Sequence, residues 1–195
     1  MEIIGEGAEA VIYSAKVFGI NAVIKYRPKK AYRQKELDEL LREQRTRAEA
    51  KAMLAAMDAK VNVPGILLVD TYSICMERIE GSNLSSIGEG DKFFAYIEQA
   101  GAFLERMHRR NIAHGDYTPA NIIAKKNTIY VIDFGLSSFS AGLEDKAIDL
   151  LLMKRSVSKE AFAYFEKGYG KEAHNAEFEA LKEIESRGRY KDRKS

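Results

Sequence analysis

The sequence predicts an α+β fold with two lobes: an antiparallel β-sheet N-lobe carrying one long helix, and a reduced, mainly helical C-lobe. Short apolar runs between turn residues occur before residue 26 and again over 66–77, with a long helical pattern between them. Helical patterns dominate after residue 93. The 195 residues suffice for one ordinary core, here split into two lobes of a single domain. The predicted parts are an N-lobe over about 1–78, a connector over about 78–82, a C-lobe over about 83–187 and a basic tail over 187–195.

The N-lobe begins with a strand over residues 1–5, a glycine-rich turn and a strand that continues to residue 17. Gly5 and Gly7 fill two positions of a G-x-G-x-x-G loop, and Ala10 stands at the third. Glycine lets the backbone approach phosphate oxygens, so Gly5, Glu6, Gly7 and Ile12 are candidate nucleotide-binding residues. A plain hairpin turn is the alternative. Residues 18–21 are predicted to turn into the next strand.

Lys25 closes a Val-Ile-Lys strand end, which suits an ammonium group that reaches the α and β phosphates of a nucleotide. Such a lysine needs a carboxylate from a following helix to hold it extended. Residues 34–58 are predicted to form that helix, and Glu43 and Glu49 are both candidates from their spacing. The expected apolar face of the helix consists of Leu37, Leu40, Leu41, Ala48, Met53 and Leu54.

Two strands, over 66–70 and 72–77, are predicted to complete the N-lobe. The clearest helix of the chain covers 93–110, where Phe93, Ile97, Gly101, Leu104 and His108 form one stripe. Because no metal-ligand spacing surrounds it, His108 is predicted to be a core or boundary histidine. Further helices are expected to begin at residue 144 and to cover 159–165 and 173–187, after a loop that follows Gly135.

The strongest chemical signal is His114-Gly115-Asp116 with Asn121 five residues after the aspartate, followed by Asp133-Phe134-Gly135. Two apolar runs separated by a turn predict a hairpin over residues 122–132, so the polar residues lie at strand ends and converge. Phosphoryl transfer requires a carboxylate that orients the attacking hydroxyl, together with metal ions on the phosphates. Asp116 is therefore the predicted catalytic carboxylate, and Asn121 and Asp133 are the predicted Mg²⁺ ligands.

Composition excludes several protein classes. The lone cysteine, Cys75, lies in an apolar run, which predicts a buried thiol and excludes an internal disulfide. The sequence shows no cleavable apolar segment and no run long enough to span a bilayer, so we expect a cytoplasmic protein without membrane contact. Residues 25–51 hold ten basic and five acidic side chains, and residues 187–195 hold five basic side chains and one acidic. Both are candidate polyanion contacts, with a solvated helix face and a frayed terminus as the alternatives.

Three further motifs accompany His114-Gly115-Asp116. These are Tyr32-Arg33-x3-Leu37-Asp38-x2-Leu41-x3-Arg45-Thr46-Arg47-x-Glu49-Ala50, Glu144-Asp145-Lys146-Ala147-Ile148-Asp149, and Arg187-Gly188-Arg189 in the basic tail. Together these pieces resemble a protein-kinase-like fold over residues 1 to about 187, and more closely the small atypical serine/threonine kinases of the KEOPS/EKC complex, the PRPK-like or piD-type family.

The resemblance implies Glu49 as the partner of Lys25, a nucleotide pocket that includes Met76, Glu77 and Ile79, and a structural role for Asp149 below the catalytic loop. It implies ATP and Mg²⁺ as cofactors, with Mn²⁺ able to substitute. The implied activity is that of an ATPase supporting N6-threonylcarbamoylation of adenosine 37 in tRNAs, with serine/threonine autophosphorylation in addition. The implied partners are the threonylcarbamoyl transferase subunit, the other KEOPS subunits and, through the complex, tRNA. The basic candidates for tRNA contact are Arg42, Arg45, Arg47, Arg187, Arg189 and Lys191.

Departures from ordinary protein kinases favour ATP hydrolysis over peptide phosphorylation. Gly115 replaces the usual arginine, so that position offers no partner for a phosphorylated activation loop. Only residues 136–144 separate Gly135 from the next predicted helix, and no Ala-Pro-Glu follows. Two alternatives stay open: a small-molecule phosphotransferase of the aminoglycoside or choline kinase type, and a non-catalytic ATP-binding scaffold.

Overall fold

The computed structural model describes the backbone of residues 1–191 and side chains as far as Arg187. The N-lobe is a five-stranded antiparallel sheet in the order β1-β2-β3-β5-β4, with one helix, α1, packed beside it. Its elements are β1 Glu2–Glu6, β2 Val11–Val17, β3 Ile20–Tyr26, α1 Lys35–Asp58, β4 Ile66–Val69 and β5 Ser73–Glu77.

A two-residue turn joins β2 to β3, where a four-residue turn was predicted. Phe18 and Gly19 both have positive φ angles, of 49° and 81°. Paired positive φ values give a turn whose twist matches that of the flanking strands. Ile20 and Asn21 therefore already belong to the ladder and pair with Val17 and Lys16.

Of the predicted apolar face of α1 only Met53 is buried, so this prediction is largely wrong. Leu37, Leu40 and Leu54 are each about half exposed, between 48% and 50%. The amino-terminal half of the helix instead buries polar side chains, and the carboxyl-terminal half buries small residues and methionine. These buried residues are Asp38, Arg42, Thr46, Glu49, Ala50, Ala52, Met53 and Ala56. Polar groups are buried only when they are hydrogen-bonded or paired, so the partners of this half helix decide its orientation.

The C-lobe holds four helices and two small sheets within the described residues. One sheet has the order β6-β8-β9, and the other pairs β7 with β10. The elements are β6 Ser82–Asn83, α2 Asp91–Arg109, β7 Ile112–Ala113, β8 Ile122–Lys125, β9 Thr128–Val131, β10 Ser138–Phe139, α3 Leu143–Ser156, α4 Lys159–Tyr169 and α5 Asn175–Lys191. The residue 122–132 hairpin is thus confirmed as β8 and β9. The predicted loop after Gly135 contains a short strand, β10, that pairs with β7.

The core of the C-lobe forms where α2 packs on α4. The whole predicted stripe of α2 is buried, including His108. Two glycines permit a close approach: a Cβ on Gly101 would lie 2.2 Å from the carbonyl oxygen of Phe165, and one on Gly168 would lie 1.8 Å from that of Glu98. The helix α4 continues past its predicted end to Tyr169 and stops at Gly170, which has a left-handed φ of 77°.

Two further expectations concern burial and the membrane. Cys75 is buried, and this burial raises the pKa of its thiol. No helix in the described part of the chain has the length and apolar character needed to cross a bilayer. The proposed division of the chain near residues 78–82 stays a prediction, although this segment does connect β5 to β6.

Candidate active site between the lobes

Lys25 lies at the centre of an ionic cluster in which Glu49 is buried and Asp133 is half exposed. Its Nζ is 2.6 Å from Oε1 of Glu49 on α1 and 2.7 Å from Oδ1 of Asp133 after β9. The strand β3 alternates its faces, so Arg27 points the same way as Lys25, and its Nη2 lies 2.5 Å from Oε2 of Glu49. The Glu49 carboxylate therefore pairs with both Lys25 and Arg27.

The orientation of α1 shows which of its two candidate acids, Glu43 or Glu49, is the partner of Lys25. Glu49 is 2% exposed and faces the sheet. Glu43 lies on another face of the helix, where it forms an i, i+4 ion pair of 2.6 Å with exposed Arg47. Glu49 therefore contacts Lys25, in agreement with what the family resemblance implied.

Asp133 stands in the left-handed region, with a φ of 61°. The backbone N–H of Gly135 donates to its Oδ1 at 3.2 Å. Although burial opposes ionisation, the adjacent Lys25 ammonium and these hydrogen bonds lower the pKa of Asp133. The carboxylate is thus ionised and partly open, as a cation ligand must be.

Asp116 and Asn121 meet across the short loop that contains both. Asn121 donates from Nδ2 to Oδ2 of Asp116 at 2.8 Å and to the Asp116 carbonyl at 2.9 Å. These bonds fix the direction of the Asp116 carboxylate. Because the amide nitrogen of Asn121 is committed to Asp116, its amide oxygen is the atom left for a cation.

Asp149 on α3 holds the backbone of this loop from below. It accepts from the N–H of His114 at 2.7 Å and from the N–H of Gly115 at 2.8 Å. The same carboxylate lies 3.1 Å from Nε2 of His108, whose Nδ1 is 2.7 Å from the hydroxyl of Tyr169. Asp149, His114, His108 and Tyr169 are buried, and the network joins α2, α3 and α4 to the loop that contains Asp116.

His114 and Gly115 of the same loop are closely surrounded by neighbouring chain segments. His114 is fully buried with its Nε2 3.1 Å from the Ile132 carbonyl, and burial lowers the pKa of its imidazole. Gly115 has a φ of 81°, and a Cβ there would lie 2.3 Å from the carbonyl oxygen of Leu136. The glycine therefore permits close contact between the loop that contains Asp116 and the segment after Gly135.

Two adjoining cavities open between the lobes, and together they contact every predicted nucleotide-binding residue. The inner cavity, of about 300 Å³, is mainly apolar and contacts Ile12, Lys25, Met76, Glu77 and Ile79. Its remaining lining includes residues that were not predicted to belong to the site, namely Ile4, Val23, Met53, Pro64, Ile123 and Ile132. A cavity of this size and lining suits a flat heteroaromatic ring.

The outer cavity, of about 620 Å³, is lined mainly by charged residues and glycines, with four apolar residues among them. Gly5, Glu6 and Gly7 line it, as do Asp116 and Asp133. Two arginines, Arg27 and Arg45, also line it and were not predicted to belong to the site. The two-residue period of β3 could have identified Arg27, because it shares a face with Lys25.

The residues present fit Mg²⁺ that arrives with a nucleotide. Asp133 and Asn121 supply hard oxygen ligands, which Mg²⁺ prefers. No group of three or more His, Cys, Asp or Glu side chains that could hold a metal alone exists among the described residues. Mg²⁺ is usually bound through one or two carboxylates and substrate phosphates, so this sparse donor set matches the way nucleotide sites bind it.

The basic residues predicted to contact tRNA differ in their exposure. Arg42 is buried, with Nε 2.8 Å from Oδ2 of Asp38 and its guanidinium 3.8 Å from the centre of the Tyr72 ring. Its assignment as a tRNA contact is therefore wrong, because this ion pair and ring contact hold it inside the N-lobe. Arg47 and Arg187 are exposed, whereas Arg45 faces the outer cavity. The side chains of Arg189 and Lys191 lie outside the described residues.

Comparison with known proteins identifies the family. The model of the protein kinase domain matches residues 1–160. The KEOPS complex subunit Bud32 of Pyrococcus abyssi is 35% identical, over 99% of this chain and 98% of that protein. A probable bifunctional tRNA threonylcarbamoyladenosine biosynthesis protein of Methanothermobacter thermautotrophicus is 37% identical, over 98% of this chain but only 37% of that protein.

Among solved structures, the Rio2 kinase of Chaetomium thermophilum in its ADP/Mg²⁺-phosphoaspartate complex has the same fold. Its TM-score is 0.68 at 16% identity, over all of this chain and 72% of that one. The predicted two-lobed kinase fold is thus confirmed, and so is the resemblance drawn from the sequence motifs. The chain belongs to the protein kinase domain family and, within it, to the family of the KEOPS complex subunit Bud32.

Proposed function

We propose that this protein is the Mg·ATP-dependent kinase/ATPase subunit of a KEOPS complex and supports formation of N6-threonylcarbamoyladenosine in tRNA. The observation that carries the proposal is the convergence of Lys25, Asp116, Asn121 and Asp133 on adjoining cavities between the lobes. Each group has a place in phosphoryl transfer, which depends on positioning and on stabilisation of charge.

The adenine ring occupies the inner cavity, between Val23 and Ile132 among other apolar side chains. Lys25, held by Glu49, contacts the phosphates, and the glycine-rich turn covers them. Asn121 and Asp133 hold Mg²⁺, or Mn²⁺ in its place, and the bound metal neutralises charge on the phosphates. Asp116, fixed by Asn121, orients the attacking oxygen and receives its proton.

Three features support water, or a hydroxyl presented by a partner, as the acceptor. The segment between Gly135 and α3 consists of residues 136–142 alone, and within it β10 is tied to β7. This leaves little chain for a peptide-binding platform. Gly115 provides no arginine for a phosphorylated loop. Serine/threonine autophosphorylation is then a secondary activity of the same site.

The proposed partners follow from the relatives. The Pyrococcus abyssi relative is named as a KEOPS subunit. The chain spans about a third of the bifunctional relatives, which are named for tRNA threonylcarbamoyladenosine biosynthesis. We assign the threonylcarbamoyl transferase to the remaining part of those proteins, and we expect this chain to bind a separate transferase subunit, the other KEOPS subunits and tRNA. Exposed Arg47 and the tail from Arg187 are the proposed tRNA contacts.

The test is ATP turnover measured with and without the transferase subunit and tRNA. Asp133→Ala should reduce turnover to the level of a reaction without enzyme, because it removes the carboxylate that holds Mg²⁺. Asp70→Ala, an exposed aspartate beyond the end of β4, should leave turnover unchanged. Hydrolysis by Asp133→Ala at the unaltered rate would refute the assignment.

The reaction products distinguish the alternatives. ADP and inorganic phosphate support the ATPase. A phosphorylated small molecule would indicate a phosphotransferase of the aminoglycoside or choline kinase type. Absence of turnover in the complete complex with tRNA would indicate a non-catalytic scaffold.

A further inference from the structure

Glu9, in the glycine-rich turn, is held by two arginines from the region of α1. Arg33 donates from Nη2 to its Oε1 at 2.8 Å and from Nη1 to its Oε2 at 3.5 Å. Arg45 donates from Nη1 to the same Oε2 through a short ion pair. The hydrogen bond from Arg33, together with the charge of Arg45, lowers the pKa of Glu9, so the carboxylate is ionised.

The three cations that line the outer cavity differ in how they are held. Lys25 and Arg27 are buried and share the carboxylate of Glu49, and Lys25 also contacts Asp133. The side chain of Arg45 is 40% exposed. Within the described part of the chain, its one ion-pair partner is Glu9. Arg45 is therefore the cation of this cavity that can move without leaving a buried carboxylate unpaired.

Departure of Arg45 would also leave Glu9 paired. Arg33 contacts both oxygens of the Glu9 carboxylate and is only 14% exposed, so it keeps that charge compensated. Arg45 lies one helical turn before Glu49, and residues four apart share a helix face. Its guanidinium thus points toward the wall that holds Lys25 and Asp133.

We propose that Arg45 binds the terminal phosphate of the bound nucleotide and that Glu9 occupies this arginine when the phosphate is absent. The inference rests on the proposed ATP-binding function and adds a residue to it. A guanidinium bonds a phosphate through two parallel N–H donors, a stronger arrangement than its contact with one carboxylate oxygen. Arg45 then discriminates nucleoside triphosphate from diphosphate, and its return to Glu9 accompanies release of the phosphate.

The test compares the affinities of Mg·ADP and of Mg²⁺ with a non-hydrolysable ATP analogue, by isothermal titration calorimetry on the full chain. Arg45→Met should weaken binding of the analogue about tenfold, which corresponds to about 1.4 kcal/mol, and leave Mg·ADP affinity unchanged. Glu9→Gln should strengthen binding of the analogue relative to Mg·ADP, because it removes the competing carboxylate. Arg109→Met, on the exposed end of α2, is the matched control and should change neither affinity.

Each outcome has a separate meaning. Absence of binding by the unaltered protein would overturn the proposed function together with this inference. Normal binding by that protein, with Arg45→Met weakening both nucleotides equally or neither, overturns the role of Arg45 alone. The Mg·ADP affinity reports folding of each variant. If Arg45→Met fails to fold, the Glu9→Gln variant provides the test. An affinity ratio between the ATP analogue and Mg·ADP that equals that of the unaltered protein would refute the exchange of Arg45 between Glu9 and the phosphate.

Discussion

Replacing Glu49 with Gln preserves the shape of the side chain but removes the charge that joins two buried cations. Lys25 and Arg27 lie 2.6 Å and 2.5 Å from the two carboxylate oxygens, and their side chains are 10% and 6% exposed. A glutamine offers one acceptor oxygen and turns an NH₂ group toward the other cation. Removing one partner of a buried ion pair costs about 3–5 kcal/mol.

The expected effect on thermal stability follows from this magnitude. For a chain of this size, each kcal/mol shifts Tm by about 2–4 °C, so Glu49→Gln should lower Tm by between about 6 and 20 °C. Circular dichroism measures the transition directly, and urea unfolding gives the free energy. The matched control is Glu43→Gln on the same helix. Its partner Arg47 is 76% exposed, and an exposed pair contributes at most about 1 kcal/mol.

The difference in stability between the two variants shows whether Glu49 compensates the charges of Lys25 and Arg27. If Glu49→Gln and Glu43→Gln differ by less than about 1 kcal/mol, roughly the most that an exposed pair contributes, Glu49 does not compensate two buried charges. The assignment of Glu49 as the residue that orders Lys25 would then lose its physical basis.

Two further predictions concern the packing and pH dependence of the C-lobe. Gly101→Ala should destabilise the protein by about 1–3 kcal/mol in urea unfolding, the usual cost of overpacking, because its Cβ would lie 2.2 Å from the Phe165 carbonyl oxygen. Gly88→Ala, with nothing within 4 Å of the added Cβ, is the control and should be nearly neutral. Since burial lowers the pKa of His114, the unfolded chain binds more protons there, and stability should fall as the pH drops below about 6.5. His114→Gln should be less stable at pH 8 but lose less stability between pH 7 and 5; an equal loss in both proteins would exclude His114 as the source.

Much of the site could be predicted because its parts are local. Asp116, Asn121 and Asp133 follow or precede strands whose apolar patterns are plain in the sequence, and a hairpin brings strand ends together whatever else the chain does. Lys25 likewise lies at the end of a strand that the sequence pattern predicts. The stripe of α2 was also correct, since it faces an apolar core and its period shows directly.

The orientation of α1 could not be predicted in the same way. Its apolar residues indicated a face through Leu37, Leu40 and Leu54, yet these three are half exposed and Asp38 and Arg42 are buried. The reason is that buried polar groups of α1 also have partners elsewhere in the N-lobe, such as the Tyr72 ring for Arg42 in addition to Asp38 on the helix itself. Hydrophobic periodicity carries no information about such partners.

The sequence by itself determined the fold class, since its apolar patterns mark the strands and helices, and the proximity of Asp116, Asn121 and Asp133, because spacing along the chain fixes which groups stand at the ends of neighbouring strands. Its motifs also supported the resemblance to the family. Tertiary structure alone gave the physical basis for Glu49 rather than Glu43, placed Arg42 inside the lobe, and brought Arg45 to the cavity. These outcomes depend on which side of one helix packs against the sheet. That choice is made by the pairing of buried charges, whose energies are set by distances between residues far apart in the chain.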